Sequence, residues 1–222
     1  MSSRISLLLH TDFIKSLFFN LHYFPFRQAI RFPVLLSWHF AVIKKKGSVT
    51  FDCPVKTGLL KLGYCGLGTQ DTRYDRTKWD VDGKIIIKGQ SSIGRGTNIS
   101  VGGVLEIGPG FIITGSSTVI CKHRVNIGNN VLVSWDCLIM DTDFHPIFSI
   151  GKNERINSDR PIIIGDDVWI GCRSTILKGA EIPDGSVVAA QAVISKKLDR
   201  NNCIYGGSNG GEIIKEGICW FP

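Results

Sequence analysis

Several things are scarce in this sequence, and each absence narrows what the protein can be. Its seven cysteines form no CxxC pair, and no His or Cys spacing resembles a metal-ligand set. The odd count argues against a disulfide framework and for a reduced compartment, where Cys serves as a small core residue. The 25 glycines follow no three-residue repeat, which excludes collagen. No stretch approaches the ~20 nearly uninterrupted apolar residues that a spanning helix needs. Leu7-Leu8-Leu9 ends at His10 with no small-residue cleavage site behind it, so a signal peptide is a poor fit. Acid is scarce at one end only. Residues 1–46 hold Arg4, Lys15, Arg27, Arg31, Lys44, Lys45 and Lys46 against Asp12 alone, so nearly all of the net charge of +7 sits there. A nucleic-acid binder would spread its bases over a folded surface, and no nucleic-acid partner is expected. With 43% hydrophobic residues in 222, the rest is a near-neutral globular body, not a disordered chain.

The basic head is also aromatic, with Phe13, Phe18, Phe19, Tyr23, Phe24, Phe26, Phe32, Trp38 and Phe40. Pro25 and Pro33 divide it into short helices. Rings mixed with Arg and Lys suit peripheral contact with a membrane surface, and equally suit packing against the core end or a neighbouring subunit.

The body carries a beat of six. From Ile164 an aliphatic residue recurs at Ile170, Ile176, Ile182, Val188 and Ile194, and a small or β-branched residue follows four places later at Val168, Ser174, Ala180, Ser186 and Ala192. Six fits neither the helix period nor simple strand alternation. It fits short strands separated by turns, three to a coil, closing a triangular prism with the aliphatic residues inside.

Upstream the beat slips regularly. Ile87, Ile93 and Ile99 are followed after eight residues by Ile107, Ile113 and Val119, then after eight more by Ile127, Val133 and Ile139; 25 residues then separate Ile139 from Ile164. Every interruption follows a third hexad, so all fall at one corner. Two are bulges, containing Leu105-Glu106 and Lys122-His123-Arg124, and the third is a loop over about 140–161. One edge of the prism is decorated and two are plain, and loops on a rigid scaffold are where sites are built. Residues 47–83 read as less regular early coils, with a surface excursion from Thr69 to Asp82.

The loop opens Met140-Asp141-Thr142-Asp143-Phe144-His145-Pro146, and Ile164-Gly-Asp-Asp-Val-Trp169-Ile170-Gly follows it. These motifs, over about residues 84–207, resemble the hexapeptide-repeat acyltransferases, nearest to the galactoside/maltose and surface-polysaccharide O-acetyltransferases. The resemblance implies a left-handed parallel β-helix, a hand that ordinary crossover rules would not give. It also implies direct acetyl transfer from acetyl-CoA to a sugar hydroxyl, with His145 as general base. A hydroxyl is a poor nucleophile near neutral pH, and an imidazole titrating near about 6.5 can take its proton during attack on the thioester, worth roughly 10²–10⁴ in rate. Pro146 would stiffen the loop, and Asp143 or a backbone carbonyl could hold the tautomer. Asp141 and Asp143 read either as acceptor ligands or as turn residues bonding their own backbone. Ser116 stands near where relatives contact the acceptor, often with Asn.

For coenzyme A, the resemblance implies a groove along the prism lined by Trp169, Cys172, Ala190, Ser195 and Lys196. The Cys172 N–H is a candidate oxyanion donor, and Lys196 a candidate phosphate contact beside Lys197. Trp169 could equally plug a subunit interface. Relatives usually carry Gly-x-Pro-Ala and a basic residue after the last coil; here Gly207-Ser208-Asn209-Gly210-Gly211-Glu212 stands instead, with Lys215 as the replacement base. The family is trimeric, with sites between subunits.

Competing functions are weaker. A carbonic anhydrase on this prism needs three zinc-binding His, and the coils hold only His123 and His145; no metal is expected. An amino-sugar N-acetyltransferase would carry a nucleotide-binding domain with a Gly-rich loop, which residues 1–46 lack. An antibiotic acetyltransferase and a non-catalytic assembly subunit remain alternatives. The expected layout is a helical head over 1–46, a β-helix over 47–205 and a tail over 206–222, in a cytoplasmic protein with peripheral contact at the inner membrane face.

Overall fold

The aliphatic column sets the architecture. In the computed structural model, which describes residues 7, 9–64, 68, 71, 73–207 and 211–221, every member of the six-residue series from Ile87 to Ile194 is buried. Strands stack in three parallel sheets, one per face of the prism. On the first face Ile93 pairs Ile113, then Val133, Ile170 and Val188. On the second Ile99 leads to Val119, Ile139, Ile176 and Ile194. On the third Ile87 leads to Ile107, Ile127, Ile164 and Ile182. Like residues sit over like at about 4.8 Å, so the core is three continuous aliphatic stacks. Val168, Ser174, Ala180, Ser186 and Ala192 are buried at the corners, where a larger side chain would have no room. The mainly-β parallel helix expected from the sequence is what forms.

The two plain corners repeat one tight turn. Between the first and second faces a residue with positive φ recurs at Gly96, Ser116, Asp136, Arg173 and Gln191; between the third and first it recurs at Gly110, Asn130, Asp167, Gly185 and Asn202. One left-handed residue per coil reverses the chain in a fixed number of residues, which keeps the beat at six along those edges.

The third edge differs. Its first interruption is Gly102-Gly103, not Leu105-Glu106, which lie in the strand Val104–Ile107. Gly47, Gly83 and Gly103 stack there, and a Cβ on any of them would collide with the backbone of the next coil. The second interruption holds Lys122-His123, and the third is the long loop between Leu138–Met140 and Ile162–Ile164.

The head departs from the all-helical expectation for 1–46. Helix α1 (Phe13–Tyr23) and the short helix α2 (Phe26–Ala29) form, split at Pro25, but Val34–Leu36 and Phe40–Lys45 are strands that open the first and second faces. The regular coils therefore begin before residue 47. An open strand edge needs cover, and α1 supplies it. Asn20 accepts from the Val34 N–H (3.1 Å) and donates to its carbonyl (2.7 Å), while Ser16 accepts from the Leu36 N–H (2.9 Å). Phe19 packs against Phe40 and Trp79, and Phe24 against Phe51. The opposite side of the head stays bare, with Ile14 71% and Phe18 66% exposed.

At the far end, Glu212–Glu216 adds an antiparallel strand to Cys203–Gly206, and 217–221 runs back down the prism. Ser208, Asn209 and Gly210 of the atypical tail, and Thr69 of the early excursion, lie outside the described residues. The described cysteines are all free. Burial pushes the Cys121 thiol up to about 12 and the Cys137 thiol up to about 11, as expected of core residues.

Candidate active site

The decorated edge carries its loop in two tiers. The lower tier is Asp141, fully buried, whose carboxylate accepts from the N–H groups of Lys122 (2.7 Å) and His123 (2.8 Å) in the coil beneath. Both oxygens are engaged and none faces solvent. Asp141 thus bonds the backbone of another coil and not its own, which is neither of the two roles read from the sequence, and its buried carboxylate ties the loop to the prism.

The upper tier presents His145. Phe144 has a positive φ of 61°, and the His145 N–H donates to the Asp143 carbonyl at 2.7 Å, closing a three-residue turn that points the next residues outward. His145 is exposed. Asp143 does not hold the imidazole. Its carboxylate takes the Lys178 ammonium and the Asn157 side-chain amide (2.8 Å), and these two partners hold it below the usual carboxylate range. Among the described residues the His145 ring makes no hydrogen bond, so its lone pair is free to accept a proton. Beyond the turn the loop closes as a small hairpin, pairing Phe148 with Arg155.

The other sequence candidates divide between edges. Trp169 lies on the outside of the first face. Cys172 and Ala190 occupy successive turns at its corner with the second face, one coil apart, where Gln191 N–H meets the Cys172 carbonyl at 2.9 Å. The Cys172 N–H itself donates to no acceptor among the described residues. Ser116 sits two coils below Cys172 at that same corner, across the second face from His145. Ser195 and Lys196 lie at the His145 edge, near the end of the coils. Lys197 is paired with Glu181 at 2.7 Å, whereas Lys196 is exposed with no carboxylate partner among the described residues. Lys215 pairs Ile204 on the first face, in the column that runs through Val187 to Trp169. A single chain thus brings Trp169, Cys172, Ala190 and Lys215 to one side and His145 with Lys196 to another. No three His, Cys, Asp or Glu side chains gather in a metal-holding cluster among the described residues.

Three residues that matter here were not singled out from the sequence. Trp220 lies over Trp169 with ring centroids 6.0 Å apart and donates to the Asp167 carbonyl at 2.6 Å, forming one wall of a cavity of about 620 Å³ along the first face. Trp169 in turn donates to Ser134 Oγ at 3.1 Å. Lys178 and Asn157 brace the loop. Lys178 was within reach of sequence bookkeeping, because the Ile139–Ile176 register sets it directly above Asp141; Asn157 and Trp220 carried no periodic signal.

Known proteins resemble this chain in sequence and fold. Residues 161–196 match the bacterial transferase hexapeptide (six repeats) family model. A polysialic acid O-acetyltransferase of Escherichia coli O1:K1 / APEC is 34% identical over 134 residues, 60% of this chain and 41% of that protein. The galactoside O-acetyltransferase of Escherichia coli (strain K12) is 34% identical over 103 residues, 46% of this chain and 50% of that protein. The match thus spans half or less of these relatives. The crystal structure of the polySia specific acetyltransferase NeuO shares the fold at a TM-score of 0.57 and 23% identity, over 83% of this chain and 89% of that one.

Proposed function

We propose that this chain, whose residues 161–196 match the hexapeptide transferase family model, is an acetyl-CoA-dependent O-acetyltransferase acting on a sugar hydroxyl of a surface polysaccharide. The observation that carries this is His145. It is exposed, its ring is uncommitted among the described residues, and it stands on the long loop between the strands Leu138–Met140 and Ile162–Ile164. The names of the relatives, O-acetyltransferases of polysialic acid and of galactosides, support the glycan acceptor.

In the proposed step the acceptor hydroxyl oxygen attacks the thioester carbonyl carbon while its proton passes to His145. The Cys172 N–H, with no other acceptor, steadies the negative charge building on the carbonyl oxygen. The C–S bond then breaks, and the CoA sulfur leaves with the proton His145 took. His145 and Cys172 lie on different edges of one chain, so the complete site needs a second copy: the turn corner of one subunit set against the loop edge of the next. A triangular prism with such edges favours closed three-fold packing, and we read the active form as a homotrimer with its sites between subunits. CoA would lie along the prism with Trp169, Ala190 and Lys215 on one wall and Ser195 and Lys196 on the other. Asp143, tied to Lys178, shapes the acceptor side.

Release of free CoA from acetyl-CoA, measured against a panel of polysialic acid, galactosides, nucleotide sugars and lipid-linked oligosaccharides, tests the reading. His145→Ala is expected to keep less than about a tenth of the wild-type turnover. Retained turnover would remove the base and with it the proposal.

The head supports peripheral contact with the inner membrane face. No helix among the described residues is long and apolar enough to cross a membrane. Ile14, Phe18 and Val42 instead line one shallow groove with Lys15, Lys45 and Arg76 at its rim, and a bulge in the strand Phe40–Lys45 turns Ile43 outward beside it. Apolar side chains for the acyl boundary and cations for anionic headgroups are what surface binding requires. Sedimentation with phosphatidylglycerol vesicles is expected for the full chain and is weakened in Ile14→Ser/Phe18→Ser. Equal pelleting of both proteins would refute the contact.

A further inference from the structure

We infer that Lys178 and Asn157 are positioning residues for His145, a role that rests on the acetyltransferase reading above. The starting point is strain. A bulky residue at positive φ, as Phe144 is at 61°, sits in a region that costs on the order of 1–3 kcal/mol and persists only where its surroundings over-determine it. Here that residue comes directly before His145, so whatever holds Phe144 in place also aims the base.

Four side chains hold it. Thr142 Oγ1 accepts from the Phe144 N–H at 3.0 Å. The Lys122 ammonium lies over the Phe144 ring, 6.0 Å from its centroid. The Asn157 amide nitrogen donates to both the Asp143 carboxylate and the His145 carbonyl, each at 2.8 Å, while its oxygen accepts from the Ile147 N–H at 2.7 Å. One side chain thus grips the turn on both sides of Phe144 and the chain beyond His145. Lys178 completes the staple, donating to the Asp143 carboxylate and to the Asn157 carbonyl at 2.9 Å.

Lys178 shares with Lys122 a root outside the loop. It follows Leu177, which pairs Met140 on the second face, so it grows from the stacked coils and not from the loop. Its side chain is only 13% exposed. The rest of the loop is poorly anchored, with Ile147, Phe148, Ile150 and Ile156 all exposed. Lys178 is therefore a tie that transfers the rigidity of the prism to the upper tier of the loop, and Asn157 distributes it across the turn. A shift of about 1 Å in a reacting group can cost on the order of 100-fold in rate.

Lys178→Met, Lys178→Arg, Asn157→Ala and His145→Ala enzymes, assayed with acetyl-CoA and the best acceptor of the panel, separate this role from general support. Lys178→Met and Asn157→Ala are expected to lower kcat by about 10-fold or more with KM for acetyl-CoA unchanged, and Lys178→Arg to restore most of it. In the His145→Ala background the same changes are expected to cost nothing further, because they act through the missing imidazole. Hydrogen exchange across residues 141–149 should rise in both single variants, a readout independent of turnover and of folding elsewhere. Wild-type kcat, or unchanged exchange, in both Lys178→Met and Asn157→Ala overturns the inference alone. Full turnover in His145→Ala overturns it together with the acetyltransferase reading.

Discussion

The plain edges of the prism and its third edge are built from the same strands but solve different problems. On the plain edges each coil from Gly96 onward turns through one left-handed residue, so Asn130 and Asp167 are near-copies of each other and are even joined by a 3.0 Å hydrogen bond. On the third edge the early coils turn through a stacked pair of residues, Asp82-Gly83, Gly102-Gly103 and Lys122-His123, and the next coil then departs into a loop of about twenty residues. Repetition gives stability, because each coil is held by identical neighbours above and below. Departure from repetition gives chemistry, because a residue with no copy in the next coil is free to face a substrate. The comparison makes a demand: damage to the repeated parts should appear first in stability, and damage to the elaborated edge first in turnover.

The largest expected effect is in the repeated core. Ile139 is buried between Val119 and Ile176, and Ile139→Ala should cost about 2–5 kcal/mol, part lost transfer energy and part cavity. Chemical denaturation measures it; a loss below ~1 kcal/mol would mean the stacks are not the main source of stability. Gly103→Ala comes next and crosses the comparison. Its Cβ would strike the His123 carbonyl, and forcing that apart should cost about 1–3 kcal/mol. Because Asp141 hangs the loop from the His123 N–H, turnover should fall too. A variant that loses stability yet keeps full kcat would uncouple the glycine edge from the loop.

Asn130→Ala is the control on a plain edge. Alanine at φ 53° costs roughly 1–2 kcal/mol, and the bond to Asp167 goes with it, while kcat should stay at the wild-type value. Asn130→Gly, free of that conformational penalty, should be milder. A fall in turnover in either variant would show that the plain edges are not plain.

The same contrast explains how much could be read from the sequence. The hexads gave away faces, register and the position of the elaborated edge, since a buried position with an identical neighbour every coil leaves a periodic trace. The opening strands left none. Phe40–Lys45 carries a bulge at Ile43 and pairs only one neighbour, and the aromatic residues around it read as helix surface. Asp141 was ambiguous because its partners, Lys122 and His123, lie 18–19 residues back; only the coil length brings them beneath it. Asn157 was invisible, because a loop without repetition has no register to count. His145 was found by resemblance and by its place in the interruption, not by period.

The smallest expected effect separates rigidity from reactivity within the loop itself. Lys178 first, and Asn157 after it, hold the Asp143 carboxyl below its ordinary value of 3.8. A carboxylate with a lowered folded value contributes to stability above the unfolded value and loses that contribution only as pH falls through the lowered one. The staple should therefore persist unchanged from pH 7 to about 4 and loosen below about 3.8. A general base works only while it is unprotonated, so turnover is expected to decline in acid while the staple still holds. Hydrogen exchange across residues 141–149, followed beside kcat/KM from pH 7 to 5, should stay level once corrected for its intrinsic pH dependence while activity drops. Exchange rising in step with the loss of activity would mean that the acid limb reports a collapsing loop, and the division between the edge that holds and the residue that reacts would fail at its finest point.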